Sequence, residues 1–223
     1  MKPFFIILFL ILFCSSPQII DKNLDTVPKF TPFKDDVLAN KFAPYIYPSK
    51  EFGNPTALLY RASRDEENQI HITYHFVWEK EENLTSGFSP FMSRNIYTGG
   101  LSLQKTMFGK KDIELVSLII QNQKVIQVEY ETAENYDPKK FGVKHKHITL
   151  KKDLTNHLYF KVLSWNHLFF EPTETESESE KSLMLEAKYF TQMLWEEYTM
   201  VKEKESFFKR SRAHKNYEKE FVE

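Results

Sequence analysis

Along residues 70–78, IHITYHFVW, side chains alternate between two faces: Ile70, Ile72, Tyr74 and Phe76 share one, His71, Thr73, His75 and Val77 the other. Period two marks a β-strand whose faces meet different surroundings. The stretch 108–130, FGKKDIELVSLIIQNQKVIQVEY, is the most apolar and β-branched part of the region expected to fold. It reads as a hairpin: a strand over 112–120, a turn over 121–124 with Asn122 suited to a left-handed conformation, and a return over 125–130. Further strands are predicted over 45–47, 57–62, 101–104, 143–150, 158–165 and 167–170, separated by polar loops. One short helical pattern, 37–43, follows a cap at Asp35 or Asp36 and stops before Pro44. Short strands in succession, without a helical period between them, predict a mainly β fold: a single antiparallel β-sandwich, jelly-roll-like, over residues 32–170.

The pattern changes at both ends. Residues 171–180, EPTETESESE, form an acidic linker with no core-forming side chain, which stays solvated. Beyond it Leu183, Ala187, Phe190, Leu194, Tyr198 and Val201 recur at spacings of three and four, predicting a C-terminal α-helix over 181–209 and a polar tail over 210–223. Such a stripe packs on its own sheet or docks a partner. At the other end, residues 1–14 begin with one lysine and run apolar from Pro3 to Phe13. That run has the length of a signal-peptide core and falls short of the roughly 20 residues that span a bilayer as a helix. Residues 15–31 are polar, with Pro17 and Pro28, and read as a tether.

Cysteine usage sharpens the leader. Cys14 is the one cysteine, directly after the apolar run, so the folded region has no thiol for a disulfide, a thiolate metal site or a nucleophile. The arrangement resembles a relaxed bacterial lipoprotein signal, with Ile11 and Leu12 fitting and Phe13 larger than usual. Lipidation at Cys14 is therefore expected, with plain secretion or an uncleaved anchor as the alternatives. A net charge of −1 gives no global field favouring nucleic acid. Only 6 glycines, and no Gly-rich phosphate loop, G-x-S-x-G, H-E-x-x-H or EF-hand loop, argue against those chemistries. Asn83-Leu84-Thr85 fits a glycosylation acceptor, relevant only in a eukaryotic secretory route.

Two groups of side chains can carry chemistry. Asp112 and Glu114 share a strand face with Val116, Leu118 and Ile120. Carboxylates at the mouth of an apolar face must be paired, hydrogen-bonded or metal-bound. Either Lys110 and Lys111 balance them at an exposed strand end, or the acids hold a divalent cation, calcium or magnesium, or a sugar hydroxyl. His145 and His147 form H-x-H, about 7 Å apart on one strand face, and hold a metal only if a third ligand arrives from an adjacent strand. His71 and His75, about 13 Å apart, are too distant to share an ion. His167, in SWNHLFF, is a partly buried hydrogen-bonding candidate.

Three patches, IHITYHFVW at 70–78, GKKDIE at 109–114 and FKVLSWNH at 160–167, together resemble the vacuolar-protein-sorting-related and necrosis-inducing secreted β-sandwich proteins. The resemblance spans about residues 40–170. GKKDIE is similar to that family's H-D-W-E segment, and FKVLSWNH to its later strand ending in Gly-Ser-His. The resemblance implies one antiparallel sandwich and, in the necrosis-inducing branch, acids and a histidine holding a divalent cation used against membrane glycolipids. Asp112, Glu114 and His167 match those positions. Lys111, Ile113 and Trp165-Asn166 depart from the family's His, Trp and Gly-Ser, which counts against toxin activity.

The expected protein is thus exported and lipid-anchored at a bacterial cell envelope, at the outer membrane or cell surface, or else secreted or periplasmic. Its expected role is non-enzymatic binding of a protein or glycan partner, without nucleic acid. The alternative is a divalent-cation-dependent protein binding glycan or lipid head groups, a cytolysin or a hydrolase. No cofactor is expected beyond that cation.

Overall fold

Alternating strand β4 (Ile70–Trp78) is the middle of the main sheet, and almost its whole length is buried. It pairs antiparallel with β3 (Ala57–Arg64) on one side and β5 (Asp112–Gln121) on the other. β6 (Lys124–Ala133) and β7 (His145–Leu154) continue the sheet antiparallel. The coordinates are a computed structural model, which describes residues 30–81, 86–88, 91, 111–140, 142–155, 157–172, 181–198 and 200. Among these, the far edge of β3 is shared by two short strands. β1 (Thr31–Phe33) pairs antiparallel with its end, and β10 (Ala187–Tyr189) runs parallel to its beginning. A smaller sheet, β2 (Tyr45–Ile46), β8 (Tyr159–Val162) and β9 (Phe169–Phe170), lies apart from that path. The fold is mainly β and sandwich-like, with the expected hairpin at its centre. The leader, the tether up to residue 29, residues 101–104, most of the acidic linker and the polar tail lie outside the described residues, and the last tether residue, Thr31, opens β1.

The alternation decides which face meets which layer. Tyr74, Phe76 and Trp78 of β4, Tyr60 of β3, Val116 and Leu118 of β5 and Val128 of β6 form the main core. Phe42 of α1 (Asp36–Phe42), Ile46, Phe160 and Phe169 pack against them from the second layer. Each such side chain removed from water contributes about 1.5–3 kcal/mol. Helix α1 begins where Asp35, its N-cap, accepts from Leu38 N–H at 2.9 Å. Two core tyrosines hold it down: Tyr74 donates to the Ala39 carbonyl at 2.7 Å, and Tyr60 donates to Asp36 at 2.6 Å. Burial first, then the Asp36 carboxylate, pushes the Tyr60 hydroxyl far above its ordinary range, so it remains a donor.

The opposite face is covered by the chain's C-terminal segment, and here the expected helix over 181–209 needs correcting. A helix is present, α2 (Gln192–Glu197) with Thr191 as N-cap, but residues 181–190 are extended. Leu183 bridges Ile46, and Ala187–Tyr189 adds to β3. The same apolar residues also carry period two. Leu183, Leu185, Ala187 and Tyr189 point inward, while Met184, Glu186 and Lys188 are exposed. An open backbone edge on β3 selected that period. Asn40 of α1 secures it, its amide accepting from Ala187 N–H at 2.9 Å and donating to Ala187 C=O at 3.1 Å. Phe190, Trp195 and Met200 then pack on Leu59, Val77 and Ile113 as a second core. Residues 201–209 lie outside the described residues. Among the described residues no helix is long and apolar enough to cross a membrane.

Candidate functional site

The site forms where β4 ends, β5 begins and the β8–β9 turn folds over both. Leu163 and Leu168 close that turn by a backbone bond of 2.8 Å, and His167 N–H donates to the Ser164 carbonyl at 2.9 Å. His167 occupies the left-handed region, φ 57°, which histidine tolerates better than branched side chains do. Its imidazole stacks on the Trp78 indole, centroids 4.4 Å apart and planes 8° apart. Trp78 is the cross-strand partner of Asp112. The sheet register therefore brings a carboxylate to the stacked ring: Asp112 Oδ2 lies 2.5 Å from His167 Nδ1.

The other ring nitrogen is also engaged, since His167 Nε2 is 2.8 Å from the Phe52 carbonyl oxygen. A carbonyl oxygen only accepts, so Nε2 carries a proton. A carboxylate oxygen at 2.5 Å from Nδ1 requires a proton between those atoms as well. His167 is thus bonded at both ring nitrogens while its ring lies against the Trp78 π-system. The side chains are only 1% and 10% exposed. Two polar groups so far from water are tolerated because each hydrogen-bonds the other.

Of the predicted acids, Asp112 joins His167, whereas Glu114 is half-buried opposite Phe76 in the register and is not part of that pair. At Asp112 the partner is His167 rather than the expected lysine. Lys111 takes a left-handed conformation, φ 64°, and its ammonium pairs with Glu79 instead. Lys110 and the lipidation candidate Cys14 lie outside the described residues. His145 and His147 are engaged by acids of β6. His145 Nδ1 is 2.6 Å from Glu131 Oε2, and His147 Nε2 is 3.8 Å from Glu129 Oε2. His145 also reaches the turn: its Nε2 is 3.0 Å from Asn166 Nδ2, and Ser164 Oγ donates to Asn166 Oδ1 at 2.7 Å. Neighbouring residues of one turn thus anchor to two strands of the sheet, Asn166 to the edge strand β7 and His167 to the interior strand β5.

His71 and His75 serve the fold. His71 Nε2 is 2.8 Å from Asp65 Oδ2 in the β3–β4 turn, and His75 packs edge-on against Phe190 and Trp195 in the second core. Sequence reasoning did not single out Trp78, Phe52, Glu131 or Asn166. Glu129 and Glu131 carried a usable signal, E-x-E on the strand preceding H-x-H. The Phe52 carbonyl carried none, because backbone groups have no sequence signature.

As it stands, the Asp112 end of the sheet is poorly suited to a cation: both His167 nitrogens and Asp112 Oδ2 are engaged with one another and with Phe52. No cluster of three or more histidine, cysteine or acidic side chains in a metal-holding array occurs among the described residues. No family model matches the chain, and no curated protein or solved structure is significantly similar to it.

Proposed function

We propose that this protein is an exported envelope protein, anchored by lipid at Cys14, whose β-sandwich acts by binding a protein or glycan partner rather than by catalysis. The observation that carries the non-enzymatic part is the closed state of the Asp112–His167 pair. A general acid or base must reach a substrate proton, and this histidine is 1% exposed and bonded at both nitrogens. The pair instead ties the β8–β9 turn to the central hairpin, leaving recognition to the surface. The apolar run before Cys14 and the polar, proline-containing residues after it supply the anchoring part.

Labelling cells with a clickable fatty acid tests the anchor. The full-length protein takes up label, and Cys14→Ser does not and moves to the soluble fraction; label retained in Cys14→Ser overturns the assignment. A second reading, cation-dependent binding of glycan or lipid head groups at Asp112, Glu114 and His167, is favoured by one observation: two of those three residues do meet. It rests on the family resemblance and requires the pair to open. Stoichiometric calcium or magnesium that is lost in Asp112→Ala establishes it; an unchanged melting temperature with chelator removes it.

A further inference from the structure

H-x-H on β7 lacked a third ligand in the sequence, and strand β6 supplies one. The register sets Glu131 directly opposite His147 and Glu129 opposite Thr149. The Glu131 carboxylate already stands 2.6 Å from His145 Nδ1. One carboxylate is therefore bonded to the first histidine and faces the second across the ladder. Directly opposed side chains start about 4.5–5.5 Å apart at Cβ, and H-x-H neighbours about 7 Å apart at the backbone. An ion bound at about 2.0–2.2 Å from nitrogen and oxygen ligands fits between groups so spaced.

The far side of His145 is built as well. A ligating histidine binds the ion through one nitrogen and holds its orientation by donating from the other. His145 Nε2 faces the Asn166 amide at 3.0 Å, and that amide is braced by Ser164. Ser164 and Asn166 are both buried. Turned end for end, the amide presents its oxygen to Nε2–H and its NH2 to Ser164 Oγ. That leaves Nδ1, on the Glu131 side, to face an ion.

We infer that His145, His147 and Glu131, with Glu129 beside His147, form a binding site for a divalent transition cation of the zinc type, at the outer strand of the main sheet. Two imidazoles select such ions over calcium and magnesium. The site is distinct from the Asp112–His167 pair and does not depend on the function proposed above. It is not closed in the free protein, where His145 and Glu131 share a proton and no three such groups among the described residues converge. Closure needs a rotation of His147, whose side chain is 59% exposed. The shared proton leaves to solvent as the ion replaces it.

Calorimetric titration of the detergent-solubilised full-length protein with zinc chloride tests this, with cobalt(II) absorption as a second readout. One ion binds per chain with release of a proton, and cobalt gives a visible ligand-field band. His147→Ala and Glu131→Gln each weaken binding at least about tenfold and lose the band, with circular dichroism unchanged because His147 is exposed and the Glu131→Gln change keeps the side chain's shape. Lys188→Gln, exposed on β10 at the other edge of the sheet, binds zinc as the unaltered protein does. No saturable zinc binding, or equal binding by a His145→Ala/His147→Ala double variant, overturns the site.

Discussion

Asp112 and His167 behave as one unit, because neither group is stable in its place without the other. Removing one partner of a buried hydrogen-bonded pair typically costs about 1–3 kcal/mol, since the remaining polar group is stranded. His167→Ala is expected to lose that much by urea denaturation, and the double variant Asp112→Asn/His167→Ala less than the sum of the singles. Additive losses would mean that the pair is not coupled. Asp65 works on a smaller scale. Burial opposes its ionisation, but the His71 imidazole and the backbone N–H groups of Gln69 and Glu67 outweigh that and hold its carboxyl below the ordinary value of 3.8. A depressed carboxyl stabilises the fold above its unfolded range and loses that contribution as pH falls through the folded value. Asp65→Asn should therefore cost about 1–3 kcal/mol at neutral pH. The difference from the unaltered protein should shrink as pH falls below 3.8 and through the lower folded value; a pH-independent difference would assign the effect to packing.

Beyond the strand ladders, several elements here are joined by side chains that satisfy backbone groups of another element. Asn40 is the clearest case, since its amide pairs with both backbone groups of Ala187 as a strand neighbour would. Asn40→Ala leaves those groups without protein partners and is expected to destabilise the fold by about 1–3 kcal/mol. Hydrogen exchange checks the location: the loss should centre on the β10 amides, and uniform change across the sheet would contradict it. The strands of the hairpin were legible because their alternation is strong and their surroundings differ on the two faces. Residues 181–190 were not, because Leu183 and Ala187 satisfy a helical spacing and a strand spacing at once. Only the open edge of β3 distinguishes the two.

At the scale of the molecule, the second core makes the C-terminal segment part of the fold. Phe190, Trp195 and Met200 cover Leu59, Val77 and Ile113, and the Arg61 guanidinium lies 4.4 Å over the Trp195 ring. Losing one buried tryptophan costs about 3–5 kcal/mol, and total stabilities are only about 5–15 kcal/mol. Deleting residues 181–223 should therefore abolish the cooperative unfolding transition seen by circular dichroism; a truncated domain that still melts cooperatively would make this segment a docking element. The candidate site belongs to this scale as well. It exists because a turn from late in the chain lands on the start of the central hairpin, 55 positions away between Asp112 and His167.

Sequence alone determined the local preferences: the strands of the central hairpin, the helix after Asp35, the mainly β class and the shared faces of Asp112 with Val116 and of His145 with His147. Side-chain period and capping chemistry act over a few residues, so they can be read a few residues at a time. The tertiary structure alone decided partners. It paired Asp112 with His167 rather than with a neighbouring lysine, set Glu131 across from His147, and turned a helical spacing into a strand. Those outcomes depend on register between strands far apart in the chain and on which backbone edge is left open, quantities that no local pattern contains.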